Sequence, residues 1–534
     1  MNGLNRLPKN GSVGVVGGGI SGLFFTYFLN LKRPDLKITI LDKSCSKSKR
    51  VGGWIHTHRD ATTNLKLEKG PRTLRGVSPG TALILQSLIK MDSETKEHIM
   101  YIEKESVANR KFIVDPKNSK SLVQVPPITS ASFYEFMKSG ASDGFFKSLI
   151  YEYFNKSKNV VDRDESIYDF ITRRFGSDSL VSNLASALFF GIYATDVKNL
   201  SANYCIPRLV NYEKTHGGIF RGLFSKNQPK PIRTNDQEIK DFATFLNINE
   251  DKMLGYYDHL KKLPLIAFKN GMSTMPDKVR DHLSTIPNIS FKFDYDVKSV
   301  ENFGKKLKLN NDLSFDHVHL STISNNFDIS NEKFMKYNKS LGQGTNVLLI
   351  NLYHPKKNII PSKIDAFGFL VPKNCQTPLL GCIFDSVIEK NMKNFYDKKY
   401  LINSDALNKT DYTKLTMMVS YNGKKIEDVN INEYKENFVF KMLKDQIGLN
   451  EDQISSLQKD GDFLIEFTFA DNSIPIYNVG KGFSSDMEKD IRTVLKKDLL
   501  TNNNISVGGF KFADGPGMPD VVVESLRAVQ TLVK

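Results

Sequence analysis

Three separate parts of the chain carry the apolar pattern of strands joined to helices. The first part predicts a strand, a helix and a second strand, at residues 13–16, 23–29 and 38–41. The middle part has alternating apolar positions that predict strands returning to a sheet, at residues 289–293, 306–309 and 318–323. The last part predicts a strand at residues 505–510, a glycine turn and a helix at residues 521–533. Together these patterns favour an α/β domain assembled from distant segments.

Two insertions separate these parts, and their patterns differ. Residues 120–250 are typical of helices, whereas residues 328–478 are typical of strands, most clearly at residues 347–353 and 415–421. Such strands suggest an antiparallel sheet that forms one wall of a substrate cavity. The segment 394–414 is rich in Lys, Asn and Asp, which predicts an exposed loop or a short helix.

Glycines follow the first predicted strand with the spacing G-x-G-x-x-G, at Gly17, Gly19 and Gly22. Gly17 permits a tight turn, Gly19 allows a pyrophosphate to approach the backbone, and Gly22 allows the helix to pack on the strand. The N-terminus of the helix adds unpaired N–H groups and the positive end of its dipole. Asp42 follows the second strand, where a carboxylate accepts hydrogen bonds from an unphosphorylated ribose. The combination predicts a bound dinucleotide.

A second glycine motif after Asp42 distinguishes a flavin dinucleotide from a nicotinamide one. The segment Arg50-Val51-Gly52-Gly53-Trp54 has the pattern R-x-G-G-W, and residues 68–73 follow with the pattern E-x-G-P-R. Simple NAD domains have no reason to place a glycine pair here. The R-x-G-G motif resembles that of amine-oxidase-like flavoproteins. Both motifs together resemble those of the protoporphyrinogen oxidase family, which makes the penultimate intermediate of haem.

The resemblance implies a multi-domain α/β fold with a discontinuous, Rossmann-like domain that binds FAD noncovalently. We assign residues 1–95, 260–327 and 479–534 to this domain. Residues 96–119 and 328–478 are expected to form a substrate-binding antiparallel sheet, and residues 120–259 a mostly helical domain that docks on a membrane. The implied reaction oxidises protoporphyrinogen IX to protoporphyrin IX in three rounds. Each round moves a hydride to flavin N5 and reduces molecular oxygen to hydrogen peroxide.

The family also implies which residues contact FAD. Around the first glycine turn and the acid that follows it, these are Gly17, Gly18, Gly19, Ile20, Ser21, Gly22, Asp42 and Lys43. In the two following motifs they are Arg50, Gly53, Trp54, Gly70, Pro71, Arg72 and Thr73. Val297 is expected near the adenine. At the C-terminal turn, where a helix N-terminus would stabilise the negative charge of reduced flavin, they are Gly509, Gly517, Met518 and Pro519.

The substrate-binding residues come from the same resemblance. Arg110 matches the family arginine that pairs with a substrate propionate, and its planar guanidinium suits a carboxylate. The residues that match apolar neighbours of the tetrapyrrole or of the flavin are Phe367, Gly368, Leu370, Met418 and Ile474. No side chain is expected to act as acid or base, because the hydride goes to the flavin and the pyrrole N–H supplies the electron push. No metal site is expected.

Composition limits the class of protein. The 534 residues are 40% hydrophobic and 25% charged, which is typical of an ordered protein of two or three domains. The formal net charge of +15 is compatible with nucleic acid, an anionic membrane or an anionic ligand. Basic residues are spread and no nucleic-acid module accompanies them, so nucleic acid is not an expected partner. Cys45, Cys205, Cys375 and Cys382 lack C-x-x-C spacing, so neither a zinc site nor a disulfide framework is expected.

Aromatic segments raise the question of a membrane. No run of about 18 apolar residues appears, so we expect no transmembrane helix, and too few residues precede the first strand for a cleavable signal peptide. Residues 133–137, 145–154 and 217–226 are aromatic, with Lys138, Lys147, Lys156 and Lys158 interspersed or following. Either they dock on an anionic leaflet or they fill the core of a helical domain. The resemblance implies a peripheral protein of the mitochondrial inner membrane, commonly a homodimer, that passes product to ferrochelatase.

Two other classes of protein share parts of the pattern. An amine or polyamine oxidase has the same N-terminal motif, but covalent-flavin versions carry a cysteine in the C-terminal glycine region, and no cysteine follows Cys382. A cationic substrate also fits a basic chain poorly. Rab escort and GDP-dissociation-inhibitor proteins reuse the architecture without flavin to carry prenylated partners. The retained R-x-G-G motif and the C-terminal glycine turn argue against such a carrier.

Overall fold

A computed structural model of the chain describes residues 7–60, 65–155, 164–225, 234–322, 327–341, 344–396, 411–421, 430–483 and 490–533. Most of the segment 394–414, with its predicted loop or short helix, lies outside the described residues, as do Lys156, Lys158 and residue 226 of the aromatic segments. Residue 323, the end of a predicted strand, also lies outside them.

The strands are numbered in chain order. They are β1 Ser12–Val16, β2 Lys37–Leu41, β3 Thr57–Arg59, β4 Lys66–Glu68, β5 Ile99–Ile102, β6 Lys111–Asp115, β7 Asn118–Gln124, β8 Leu265–Phe268, β9 Ile289–Lys292, β10 Ser299–Phe303, β11 Lys306–Leu309, β12 Leu313–Phe315, β13 His317–Leu320, β14 Asp328–Ile329, β15 Thr345–His354, β16 Gly368–Leu370, β17 Leu379–Ile383, β18 Lys393–Asn394, β19 Thr413–Ser420, β20 Leu464–Ile474 and β21 Ile505–Val507.

The α-helices are numbered in the same way. They are α1 Ile20–Lys32, α2 Pro79–Met91, α3 Ser130–Lys138, α4 Phe145–Phe154, α5 Ile167–Phe175, α6 Asp178–Leu180, α7 Ser186–Tyr193, α8 Ala202–Cys205, α9 Pro207–His216, α10 Ile219–Phe224, α11 Asn235–Leu246, α12 Glu250–Leu260, α13 Thr274–Ser284, α14 Glu332–Leu341, α15 Asp385–Lys390, α16 Ile431–Tyr434, α17 Glu451–Lys459, α18 Ile491–Asn503 and α19 Met518–Val533.

The chain divides into two compact units, each made of separated segments. Unit 1 comprises Met1–Tyr101, Ile232–Gln343 and Asp486–Lys534, and unit 2 comprises Ile102–Pro231 and Gly344–Ser485. The mostly helical segment 120–259 of the sequence analysis is divided between them, because α11 and α12 belong to unit 1. The remaining helices of that segment share unit 2 with a large sheet.

A parallel sheet forms the centre of unit 1. Among the described residues its strand order is β21-β13-β1-β2-β9, and every pair in it is parallel. In β1 the last four residues are buried, which explains why its apolar run is continuous rather than alternating. The structure confirms the predicted α/β fold and the return of the middle and C-terminal strands to the first sheet. β11, in contrast, joins β12, β10 and β14 in a second sheet.

Unit 2 contains a mixed sheet with the order β20-β15-β19-β17-β16-β6-β7. Its pairs are antiparallel, as the sequence predicts, except that β16 and β6 run parallel. Helix α7 packs against β16 and β17, and α3, α4 and α10 lie in the same unit. Within the part of the chain that the structure describes, no helix is long and apolar enough to cross a bilayer.

Candidate cofactor and substrate sites

The first glycine turn lies at the carboxyl edge of the parallel sheet, between β1 and α1. Gly17 has φ +101°, which favours glycine, and its N–H donates to the carbonyl oxygen of Leu41 at 2.8 Å. A Cβ on Gly22 would lie 2.1 Å from the carbonyl oxygen of Gly17, so a side chain there cannot be accommodated without movement. A Cβ on Gly19, in contrast, would meet nothing within 4 Å. The turn is therefore tight on its inner side and open at Gly19.

The R-x-G-G segment runs directly beside this turn. The N–H of Gly52 donates to the carbonyl oxygen of Gly18 at 2.8 Å, and Gly19 and Gly52 form a parallel bridge. The guanidinium of Arg50 donates to the carbonyl oxygen of Gly53 at 3.2 Å. The two glycine motifs therefore form adjoining backbone walls, with few side-chain atoms between them.

Asp42 follows β2 at the same edge of the sheet. Its Oδ2 accepts the N–H of Gly18 at 2.5 Å, and its Oδ1 accepts the N–H of Ser44 at 2.8 Å. A carboxylate offers about four acceptor positions, so room remains for a ribose hydroxyl. The N–H of Tyr295 donates to the carbonyl oxygen of Asp42 at 3.0 Å, which brings the buried Val297 into this neighbourhood. Lys43 is exposed.

The G-P-R segment is tied to the R-x-G-G-W segment by close packing. A Cβ on Gly70 would lie 1.9 Å from the carbonyl oxygen of Trp54. Arg72 turns back on its own segment and donates to the carbonyl oxygens of Gly70 and Glu68, at 2.9 and 3.2 Å. Pro71 and Thr73 are half-buried, and 39% of Trp54 is exposed.

The C-terminal turn between β21 and α19 joins the same edge. The N–H of Gly509 donates to the hydroxyl oxygen of Ser21, the second residue of α1, at 3.0 Å. The hydroxyls of Ser21 and Ser525 lie 3.1 Å apart, which links α1 to α19. Gly517 donates its N–H to the carboxylate of Asp520 at 3.1 Å, and Met518 and Pro519 begin α19. All three glycine segments therefore converge at the carboxyl ends of the parallel strands.

Sequence reasoning missed the cations that shape this turn. Arg492 donates to the carbonyl oxygen of Ala513 at 2.6 Å, and Lys496 donates to that of Phe512 at 2.9 Å. Both lie on α18 at i, i+4 spacing, which is the one signal that the sequence offers. Burial lowers the pKa of Lys511 to about 8. Both cations that hold the turn are themselves paired with carboxylates, Arg492 with Asp490 and Lys496 with Glu524.

These residues fit FAD. The open position at Gly19 leaves space next to the backbone, and among the described residues no side chain caps the N-terminus of α1. Such an N-terminus at the carboxyl edge of a parallel sheet is where pyrophosphates bind. The carboxylate of Asp42 and the two glycine walls lie on either side of it.

In unit 2, neighbouring strands bring together substrate-site residues that are far apart in the sequence. The N–H of Phe367 donates to the carbonyl oxygen of Arg110 at 2.9 Å, and β16 continues beside β6 from there. Leu370 lies opposite Gly381, and Gly381 lies opposite Met418. Directly opposed residues point to the same face of a sheet. Register therefore places Leu370 and Met418 on one face.

Helix α7 packs on that face. Met418 and Ile474, together with Phe190 of α7, pack against a buried apolar cluster that includes Leu349. Leu370 packs against a second cluster that includes Ala187. Phe367 is half-buried, while Gly368 is buried and opens β16 with φ +147°. The five apolar candidates thus lie along the strands of one sheet rather than in one loop.

Arg110 supplies positive charge beside this apolar face. It is half-buried, and within the described residues its guanidinium makes no ion pair or hydrogen bond. Asp365, two residues before Phe367, feels the charges of Arg110 and Lys390. Burial nevertheless raises the pKa of Asp365 above its usual value. No group of His, Cys, Asp and Glu among the described residues is arranged to hold a metal ion.

Comparison with known proteins agrees with this arrangement. The flavin containing amine oxidoreductase family matches residues 31–325. Protoporphyrinogen oxidase of Saccharomyces cerevisiae is 33% identical, with 99% of each chain covered, and that of Schizosaccharomyces pombe is 27% identical, with 93% of this chain and 96% of the relative covered. A solved Exiguobacterium structure, assigned provisionally to protoporphyrinogen oxidase, shares the fold with a TM-score of 0.66 at 17% identity, over 98% of each chain.

These relatives favour the main interpretation over an amine oxidase or a flavin-free carrier. The matches extend over nearly the whole length of both chains, so they include both units and not the glycine motifs alone. The family match supports FAD as the cofactor and oxidation–reduction as the class of reaction. The chain belongs to the protoporphyrinogen oxidases, within the flavin containing amine oxidoreductase family.

Proposed function

We propose that this chain oxidises protoporphyrinogen IX to protoporphyrin IX in haem biosynthesis, with FAD as the electron acceptor and molecular oxygen as the final oxidant. The observation that carries the proposal is the apolar face of unit 2, which brings Leu370 and Met418 into line, together with Arg110, whose guanidinium has no ion-pair partner among the described residues. An apolar tetrapyrrole macrocycle with acidic substituents needs that combination of an apolar wall and an anion anchor. Three rounds remove six electrons in all, and each round yields one hydrogen peroxide.

The residues of this face perform binding and orientation rather than proton transfer. Arg110 offers a planar fork to a propionate and so fixes one edge of the substrate. Leu370, Met418 and Ile474 exclude water from the ring faces, which strengthens the ion pair at the edge. When bound, FAD supplies a two-electron acceptor for the hydride that leaves the methylene bridge.

The experiment that tests this function mixes the purified holoprotein with protoporphyrinogen IX under strictly anaerobic conditions. The flavin absorption is expected to bleach, and readmitted oxygen is expected to restore it while porphyrin fluorescence develops. A flavin that stays oxidised would reject this substrate, and a protein purified without flavin would reject the cofactor.

We also propose that unit 2 docks on an anionic lipid surface. Its helices α3, α4, α7 and α10 carry large exposed apolar side chains, which we call the aromatic surface: Phe133, Tyr134, Met137, Phe146, Ile150, Tyr151, Tyr153, Phe154, Leu188, Ile192, Leu223 and Phe224. A patch of this kind is uncommon on a soluble monomer unless it binds a partner or a membrane. Lys138, Lys147 and Arg221 lie among these side chains and suit anionic headgroups.

A buried ionic cluster joins α4 and α10, two of the helices that carry the aromatic surface. Arg174 is fully buried and pairs with Glu152 of α4 and with Glu213 of α9. Glu152 also accepts the N–H of Ile219 at 2.6 Å and that of Phe220 at 3.2 Å, at the start of α10. These contacts tie α4 and α10 to α5 and α9 on their buried sides.

Sedimentation with liposomes that contain anionic lipid tests the docking. Replacing Phe154 and Phe224 together by Ser is expected to lower the bound fraction about tenfold or more, because each buried Phe contributes about 1.5–3 kcal/mol. Phe303→Ser is the control, since Phe303 is also largely exposed but belongs to a hairpin of unit 1. Equal binding of all three proteins would reject the aromatic surface as the docking site.

Family membership alone supports the remaining parts of the proposal. These are a peripheral location on the mitochondrial inner membrane, a homodimer and a contact with ferrochelatase. Cell fractionation tests the location, and light scattering of the detergent-solubilised protein tests the dimer. Co-sedimentation with purified ferrochelatase tests the contact.

A further inference from the structure

Three half-buried charges meet next to Phe367, and we call them the charged triad: Arg110, Asp365 and Lys390. Asp365 follows the short 3₁₀ turn Ser362–Ile364, and two residues later Phe367 bonds to the backbone of Arg110. Lys390 is the last residue of α15, and that helix contacts the turn Val107–Asn109, which leads into Arg110. The triad is thus assembled from three separate segments of unit 2.

The charges of the triad act on one another without direct contact. Both Lys390 and Arg110 act electrostatically on the carboxylate of Asp365, yet among the described residues neither forms an ion pair with it. The ammonium of Lys390 lies 4.8 Å from the centre of the Tyr412 ring and 3.4 Å from the carbonyl oxygen of Tyr412. A contact of 3.4 Å is a weak hydrogen bond, so the cation is held in direction but not neutralised.

Two other lysines of unit 2, Lys414 of β19 and Lys393 of β18, behave differently. Lys414 lies 2.6 Å from the carboxylate of Glu389, and Lys393 lies 2.7 Å from that of Glu103. Lys390 differs from these two lysines because, among the described residues, no carboxylate lies within ion-pair distance of its ammonium. Both cations act on the carboxylate of Asp365, and the nearby carboxylate of Glu389 is already paired with Lys414, so the triad carries one excess positive charge.

An excess cation that is partly removed from water favours an anionic ligand, because the surrounding dielectric is low and no internal partner neutralises it. A single carboxylate would form an ion pair with Arg110 and would leave the charge of Lys390 without an anionic partner in the ligand. A ligand with two carboxylates on neighbouring parts of one macrocycle could reach both cations at once. Protoporphyrinogen IX carries its two propionates on neighbouring pyrroles.

We propose that Lys390 is a second carboxylate anchor, so that Arg110 and Lys390 each bind one of the two propionates and Asp365 offsets part of their charge. The proposal rests on the proposed function, which supplies the dicarboxylate substrate. In this proposal Lys390 contributes to recognition of the two carboxylates, while the side chains of the sheet make the apolar contacts with the substrate.

Binding of protoporphyrin IX and of its dimethyl ester to the holoprotein tests the proposal, with quenching of porphyrin fluorescence as the readout. Lys390→Gln is expected to weaken binding of the diacid about three- to tenfold, because one charge-assisted contact is lost. Binding of the dimethyl ester is expected to stay unchanged. In turnover the KM for protoporphyrinogen IX rises by the same factor while kcat stays near that of the wild type, and Lys390→Arg restores most of the loss.

Lys459→Gln is the matched control, because Lys459 is also the last residue of a helix in unit 2 and loses the same interaction with the helix dipole. It is expected to bind both porphyrins like the wild type. Asp365→Asn is a second variant, with the opposite expected effect on affinity. Because it removes the negative charge beside both cations, it is expected to tighten diacid binding about twofold.

Two results would overturn the proposal. One is a Lys390→Gln protein that binds the diacid as tightly as the wild type does. The other is a loss of equal size for the diacid and the dimethyl ester, which would mark Lys390 as a residue that only supports the fold. Failure of the proposed function is a separate outcome, seen when the wild-type holoprotein itself does not oxidise protoporphyrinogen IX.

Discussion

The two candidate sites are built in different ways. In unit 1 the cofactor site consists mostly of backbone: Gly17 to Gly22, Gly52 and Gly53 come within hydrogen-bonding distance of one another or of β2 through N–H and carbonyl groups. In unit 2 the candidate substrate site consists of side chains that strand register assembles from segments around Arg110, Phe367 and Met418. A backbone site is sensitive to added volume, whereas a side-chain site is sensitive to register and to charge. Four substitutions test this difference, two that add volume at a glycine and two that remove a charge.

The largest effect is expected for Gly22→Ala. The added Cβ would lie 2.1 Å from the carbonyl oxygen of Gly17 and 3.2 Å from Val15, so α1 must move away from β1. We expect loss of bound flavin and a decrease of about 3 kcal/mol in the free energy of unfolding. Flavin absorption of the purified protein and denaturant unfolding measure the two effects.

Gly255→Ala is the control for this change. Gly255 lies inside the exposed part of α12, where a Cβ would meet nothing within 4 Å. The substitution is expected to keep the flavin and to raise the free energy of unfolding by about 0.5–1 kcal/mol. A Gly22→Ala protein with a full complement of flavin would contradict the backbone description of the site.

Gly368→Ala is expected to damage unit 2 while the flavin stays bound. Gly368 has φ +147°, and a Cβ there would lie 2.0 Å from the carbonyl oxygen of Cys382, so the pairing of β16 with β17 must change. We expect a loss of about 1–3 kcal/mol in stability and a raised KM. Gly461→Ala, with open space around the Cβ, should change neither. Loss of flavin in the Gly368 variant would mean that the two sites are not separable.

Arg110→Gln changes charge without changing backbone. We expect the KM for protoporphyrinogen IX to rise about tenfold, which corresponds to about 1.4 kcal/mol, with the flavin content unchanged. Arg110→Lys should recover part of this loss, because it keeps the charge but not the planar fork. Steady-state kinetics with the diacid and with its dimethyl ester measure the effect. An unchanged KM would remove Arg110 from the substrate site.

The smallest effect is expected for Asp520→Asn, beside the C-terminal turn. Burial raises the pKa of Asp520 to about 6 in the folded protein, from an ordinary value of 3.8. The folded state therefore binds more protons than the unfolded state between about pH 4 and 6, and this residue's contribution to stability falls as the pH rises through that window. Asn keeps an acceptor for the N–H of Gly517, so we expect about 1 kcal/mol more stability at pH 7 and no difference near pH 3.

Thermal unfolding of both proteins across this pH range measures the difference. Glu524 and Asp514 also titrate in this charged surrounding, and Asp514 acts on Asp520, so both proteins are measured across the whole pH range. A variant that is less stable than the wild type at pH 7 would show that the ionised carboxylate stabilises the N-terminus of α19.

Some elements were readable from the sequence because their signals are local. The strand at residues 289–293 and the helix after the C-terminal glycine turn are confirmed as β9 and α19, since apolar periodicity and glycine spacing act over a few residues. The strand at residues 306–309 exists as β11, but its place in a second sheet was not readable. Strand pairing depends on contacts between distant segments, which periodicity does not encode.

The parallel pairing of β16 with β6 and the charged triad also depend on contacts between distant segments. Nothing near Lys390 in the sequence indicates Arg110 or Asp365, and nothing near Arg492 indicates the turn at Ala513 that it holds. These groups meet because the sheet and the helices around it bring their segments together.

By itself, the sequence determined the glycine turn, the acid after the second strand and the identity of the cofactor class, because each rests on residue types at fixed short spacing. It also carried the family resemblance that the relatives confirm. Tertiary structure alone decided which side chains face one another in unit 2, which lysine lacks a close acidic partner and which aromatic side chains stay outside. Those facts depend on register, burial and charge between segments that are hundreds of residues apart, and such contacts exist only once the chain has folded.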